Sequence, residues 1–249
     1  GAPASGIWTF TFGQASENER VLKTTPYNTQ GVVWEAINQD TYSSGEGGAL
    51  TEFSVDATKT YRFSVWIRKQ FVDTIEGKIY LGTWGKTEPH LGSFNGIYDI
   101  QTGSLNHNPY FLLGTEPPSS GTGIDDWYLF VGYVNSHNYA GTTPRSDRGW
   151  WKRDGTQDSA IGTEYKWASS NTLSQMRFLH SNNANPASGE TVDFFGPRVD
   201  AVDGTEPTIA ELITIGTPLG TPPALASNGF LPRPYQNRQF SWFSPKGGA

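Results

Sequence analysis

The chain has 249 residues, a formal net charge of −6 and no cysteine. That length suits one large domain, or one domain with an extension, and the missing cysteine excludes disulfide frameworks, thiolate zinc sites and cysteine nucleophiles. The acidic balance argues against nucleic acid as the main partner, since phosphate binding needs clustered Lys and Arg, and no segment approaches the ~20 apolar residues of a membrane span.

Hydrophobic residues make up 35% and aromatics 14%, with 29 Gly and 16 Pro. Many turns, few long helices and large contact areas per aromatic side chain point to an all-β chain with an aromatic core. The chain starts at Gly1 rather than Met and shows no signal-peptide pattern, so an excised or processed fragment is expected.

Taken in chain order, residues 7–12 alternate bulky side chains with Thr and predict a first strand, and residues 32–36 predict a second. Residues 38–48 are rich in Asn, Asp, Ser and Gly and read as loop. Residues 61–68 give the clearest strand: Tyr61, Phe63, Val65 and Ile67 share a core face by the two-residue period. Arg62, Ser64, Trp66 and Arg68 fall on the other face, expected to meet solvent, a groove, a partner or the C-terminal segment. Residues 78–84 follow as a strand, 85–125 read as loop with a short strand at 110–113, and the near-continuous apolar run 127–134 predicts a central strand. Residues 135–158 are expected to form a long loop, and strands follow at 176–180 and 191–195. Asp203-Gly204 opens an acidic turn, and Thr208-Ile209-Ala210-Glu211 has the capping-box form that starts a helical turn. The tetrads Asp154-Gly155-Thr156-Gln157 and Asp203-Gly204-Thr205-Glu206 read as turn chemistry.

Residues 216–249 differ from the rest. Gly, Thr and Pro alternate there before a cluster of Phe240, Trp242 and Phe243, which reads as an extended arm docked on its own domain or on a neighbouring subunit. The expected architecture is an antiparallel β-sandwich over residues 1–215 followed by this arm.

Motifs for catalysis are missing. No G-x-S-x-G elbow, H-E-x-x-H, P-loop or dinucleotide glycine pattern occurs, and His90, His107, His137 and His180 have no metal-ligand spacing. Asp125-Asp126 is an adjacent carboxylate pair near a strand, but adjacent strand residues point to opposite faces and would not share one substrate. The chain therefore reads as no enzyme. Arg145, Arg148, Lys152 and Arg153 are interleaved with Asp147 and Asp154, the pattern of a solvated loop. Trp150 and Trp151 stand side by side in that polar stretch. They are expected to pack over the sandwich edge, to make a subunit contact, or to form a sugar-stacking platform with Trp84, His137, Tyr139 and Arg148.

Several stretches, in one order, carry a family likeness: Asn18-Glu19-Arg20-Val21 with Val32-Val33-Trp34, Tyr61-Arg62-Phe63-Ser64-Val65-Trp66, Asp126-Trp127-Tyr128-Leu129, Tyr139-Ala140-Gly141-Thr142-Thr143, and Pro197-Arg198-Val199-Asp200. Together they resemble the carbohydrate-binding-module-like jelly-roll domains of bacteriophage tail fibres and bacterial surface proteins, over residues 17–213. The resemblance implies a galactose-binding-like jelly roll in a virion or extracellular surface setting, with a glycan as partner. It also implies a structural Ca²⁺, for which Glu17, Glu19, Asp200 and Asp203 are the candidate ligands. The alternative is a structural subunit of a fibre, sheath or filament that self-associates, with Phe240, Trp242 and Phe243 as subunit contacts.

Overall fold

The computed structural model describes residues 8–12, 15–37, 46–50, 52–69, 78–87, 96–107, 109–115, 126–181 and 191–214. The arm at 216–249, with Phe240, Trp242 and Phe243, lies outside these residues, as do His90 and Asp125. The first part of the chain forms β1 (Trp8–Phe12), a 3-10 turn at Ala15–Glu17, β2 (Asn18–Thr24), β3 (Gln30–Ile37), β4 (Glu46–Leu50), β5 (Phe53–Ser54) and β6 (Tyr61–Lys69). Next come β7 (Lys78–Lys86), β8 (Ile97–Asp99), β9 (Leu105–Asn106), β10 (Tyr110–Thr115) and β11 (Tyr128–Asn135). The last part forms β12 (Gly149–Lys152), β13 (Gln157–Ser159), β14 (Tyr165–Lys166), β15 (Leu173–Ser181), β16 (Thr191–Ala201) and the helix α1 (Ile209–Thr214).

These strands build two sheets. The smaller runs β1-β4-β15-β7-β10, and the larger runs β2-β3-β16-β6-β11-β14-β8-β9 with β12 and β13 beside β11. Within them, β4-β15-β7-β10 in one sheet lies opposite β3-β16-β6-β11 in the other. Each sequential pair, β3 and β4, β6 and β7, β10 and β11, β15 and β16, is split between the sheets, and the neighbours within each run are antiparallel. This is the strand order of a jelly-roll sandwich.

The core between the sheets is aromatic. Phe178 of β15 lies 5.2 Å from Trp34 and 4.4 Å from Phe194, and Phe63 lies 5.3 Å from Phe111. Gly132 makes room for this packing: a Cβ there would sit 2.8 Å from the Phe111 ring. Gly196 and Pro197 interrupt β16 at a bulge, where Gly196 takes φ +56° and the register with β6 shifts between Phe195 and Arg198. Proline in a central strand is tolerated at such a bulge.

Two expectations are corrected, and one set of alternatives is narrowed. The polar stretch 38–48 is not all loop, because Glu46, Gly47 and Gly48 belong to β4. Gly47 answers to a close backbone approach: a Cβ there would lie 2.2 Å from the Phe178 carbonyl oxygen. Residues 135–158 hold the β12–β13 hairpin as well as loop. The second face of β6 is not open: Arg62, Ser64, Trp66 and Arg68 are at most 5% exposed.

What covers that face is a second apolar layer. Trp66, Trp127, Leu129, Val131 and Tyr133 pack with Tyr27 and with Leu212 and Ile213 of α1. Tyr27, at the tip of the β2–β3 hairpin, accepts a bond from Trp66 Nε1 at 3.1 Å and donates one to the Leu212 carbonyl at 3.1 Å. Burial pushes the Tyr27 phenol up to about 12. The capping box forms as expected: Thr208 N–H donates to Glu211 Oε2 at 2.7 Å, and Glu211 N–H donates to Thr208 Oγ1 at 3.1 Å.

Candidate functional site

With the larger sheet roofed by the hairpin tip and α1, the outer face of the smaller sheet becomes the place to look for exposed aromatic rings. Strand β7 alternates cleanly. Ile79 and Leu81 enter the core, so Tyr80, Gly82 and Trp84 point outward. Gly82 pairs with Tyr110 on one side and Arg177 on the other, and Trp84 pairs with Gln175. Tyr80, Trp84, Tyr110 and Gln175 are all partly exposed, whereas Arg177 is 1% exposed.

Arg177 holds this patch together. Its guanidinium lies 3.8 Å from the Tyr110 ring centroid and 4.7 Å from that of Trp84, and Nη2 donates to the Pro109 carbonyl at 3.1 Å. Such a cation between two ring faces fixes both rings. Tyr80 meets Tyr110 edge to face at 5.5 Å, and Tyr165 donates from its hydroxyl to the Tyr110 carbonyl at 2.7 Å. Lys86 lies 5.9 Å over Trp84 and forms an ion pair with Glu52. Gly82 is required beneath this cluster, because a Cβ there would meet the Pro109 carbonyl oxygen at 2.2 Å and the Tyr110 ring at 2.9 Å. The result is a braced aromatic cluster built around a buried guanidinium.

The structure separates the residues expected to make one platform. Trp150 and Trp151 pair with Phe130 and Leu129 and so point to opposite faces of the larger sheet. Trp150 is 1% exposed in the core, with its ring 5.2 Å from Phe130, and it offers no face to a ligand. Trp151 is partly buried in the outer apolar layer and donates from Nε1 to the Asp147 carbonyl at 3.0 Å. Arg148 spends its guanidinium on the carbonyls of Gly162 and Arg145. His137 and Tyr139 lie in the loop after β11, where the His137 N–H bonds the Ala57 carbonyl and the Tyr139 hydroxyl bonds the Thr143 carbonyl. Of the expected set, Trp84 alone stands on the outer face of the smaller sheet. Tyr80, Tyr110 and Arg177 were missed, although a charged residue between Met176 and Phe178 signals an outward position.

The expected calcium ligands do not converge. Asp200 is taken up by Arg62 at 3.0 Å and by Arg198 at 2.7 Å. Asp203 accepts from the N–H and hydroxyl of Thr205, which holds its carboxyl below the usual value of 3.8. Glu19 stands in register with Glu35 and Asp193, seven residues of β16 from Asp200, roughly 20 Å at the usual strand rise. Glu17 is buried at the end of the 3-10 turn that precedes β2. Among the described residues, no three His, Asp or Glu side chains stand together as a metal-binding group. These four residues therefore do not fit one Ca²⁺.

No family model and no curated protein matches the chain. Solved structures do. The enzymatically active domain of tailspike protein 4 from bacteriophage CBA120 is 5% identical, with a TM-score of 0.42 over 79% of this chain and 20% of that one. An exo-β-agarase is 11% identical, with a TM-score of 0.46 over 85% of this chain and 25% of that one. A CBM4 structure is 12% identical, with a TM-score of 0.36 over 78% of this chain and 94% of that one. The chain thus spans a fifth to a quarter of the tailspike and agarase chains. The strand order of the chain's own two sheets agrees with the jelly roll that the sequence resemblance implies. Among the described residues, no helix is long and apolar enough to cross a membrane.

Proposed function

We propose that the chain is a non-catalytic glycan-binding domain of a virion fibre or extracellular surface protein, and that it meets its ligand on the outer face of the smaller sheet. The observation that carries this reading is the pair Trp84 and Tyr110, partly exposed, side by side and locked by Arg177. Sugar rings present apolar CH faces that stack on such rings, and Gln175 and Tyr80 offer polar atoms at the same surface. Rings fixed before binding lose little entropy on contact, which favours a platform over a mobile loop. Glycan-array binding followed by titration calorimetry tests the assignment. Trp84→Ala is expected to weaken binding by about 2 kcal/mol, roughly thirtyfold, while Trp151→Ala leaves it unchanged. Retained affinity in Trp84→Ala removes the platform from the site.

A second reading has its own support. Leu22 on edge strand β2 is 67% exposed and Leu113 on edge strand β10 is 69% exposed. Apolar side chains on open strand edges suit edge contacts between copies, as a structural subunit of a fibre would make. Sedimentation velocity separates the readings: concentration-dependent assembly that Leu113→Lys abolishes supports the structural role, and a monomer throughout rejects it.

A further inference from the structure

The platform carries a charge that no carboxylate among the described residues neutralises. Arg62 and Arg68, likewise buried, each hold a carboxylate, Asp200 at 3.0 Å and Asp193 at 2.8 Å. Lys86 has Glu52. Arg177 is different. Among the described residues it has no carboxylate partner, and its charged and ionisable surroundings are the phenols of Tyr110 and Tyr165; its Nε, like that of Arg62, makes no hydrogen bond. Desolvation pulls the guanidinium down to about 10, so it is still charged at neutral pH. A buried charge is normally paired, because solvation lost on burial must be replaced by a partner.

We propose that the ligand supplies that partner: the face formed by Trp84 and Tyr110 selects acidic saccharides, chains bearing uronate carboxylates, over neutral ones. This rests on the glycan-binding reading. The guanidinium lies against the rings of Trp84 and Tyr110 on a residue that is 1% exposed, where low-dielectric surroundings screen it weakly and its field reaches the rims of both rings. A carboxylate seated at those rims, with both rings in place, meets that field without touching the guanidinium. Arg177 thus acts in two ways, bracing the rings that stack on the sugar and setting the sign of the charge they accept.

The test uses the full chain with oligosaccharides of polygalacturonate, alginate and hyaluronate, each beside its carboxyl-reduced, neutral counterpart. At least one acidic oligosaccharide is expected to bind about tenfold or more tightly than its reduced form. That advantage shrinks as NaCl is raised. Arg177→Gln loses the advantage and Arg177→Lys keeps part of it, with thermal melts reporting whether each variant folds. Should Arg177→Gln not fold, the reduced oligosaccharides and the salt series on the unaltered chain decide the matter alone. Equal affinity for acidic and reduced forms, with Trp84→Ala abolishing both, overturns the charge preference and leaves the glycan reading standing. Binding of neither form, acidic or reduced, overturns both.

Discussion

Asp193 is fully buried on the outer face of the larger sheet and accepts from Arg68 Nε at 3.1 Å, Arg68 Nη2 at 2.8 Å and Lys23 Nζ at 3.0 Å. Removing it strands the Arg68 guanidinium, so Asp193→Ala is expected to lower stability by about 3–5 kcal/mol. The pair Lys152 and Asp158, at 3.4 Å with side chains 44% and 30% exposed, is the contrast. Asp158→Ala is expected to cost less than about 1 kcal/mol, and urea denaturation of the two variants checks the difference. Single residues were the scale least legible in the sequence. Trp150 and Trp151 are neighbours in the chain, yet strand alternation sends one into the core and the other to the outer layer. Reading residues 135–158 as loop hid that alternation. The turn aspartates were clearer, since Asp154 and Asp203 each accept from the threonine two positions on, a purely local contact.

At the scale of elements, the two-residue period located β6 and placed Phe63, Val65 and Ile67 in the core. It did not identify what roofs the other face, because the roof comes from Tyr27 and α1, remote in sequence from β6. The capping box was legible because it needs four consecutive residues only. Its carboxylate sets a pH dependence. Bonds from the Thr208 N–H and hydroxyl hold Glu211 below the usual 4.5, so the helix cap contributes stability above that value and loses it as pH falls through the folded value. The melting temperature of the unaltered chain is therefore expected to exceed that of Glu211→Gln near neutral pH and to match it well below 4.5. A constant gap across that range would show that Glu211 is not the titrating cap. Between the sheets, Gly132→Ala puts a methyl 2.8 Å from the Phe111 ring. Overpacking of this kind is expected to cost about 1–3 kcal/mol in urea denaturation.

For the whole molecule, the sandwich follows from strands that each hide one face against the opposite sheet. The jelly-roll order places β7 and β15 side by side, which is what brings Trp84 and Arg177 together from positions far apart in the chain. That pairing is non-local, and so no local signal in the sequence could assemble the platform, even though Trp84 itself was among the expected ligand residues. The most direct measurement is the indole N–H region of a proton–nitrogen NMR spectrum, recorded while an acidic oligosaccharide is titrated in. The account predicts that the Trp84 signal shifts while those of Trp66, Trp127 and Trp150 stay in place. Movement of the Trp151 signal with Trp84 unchanged would contradict it.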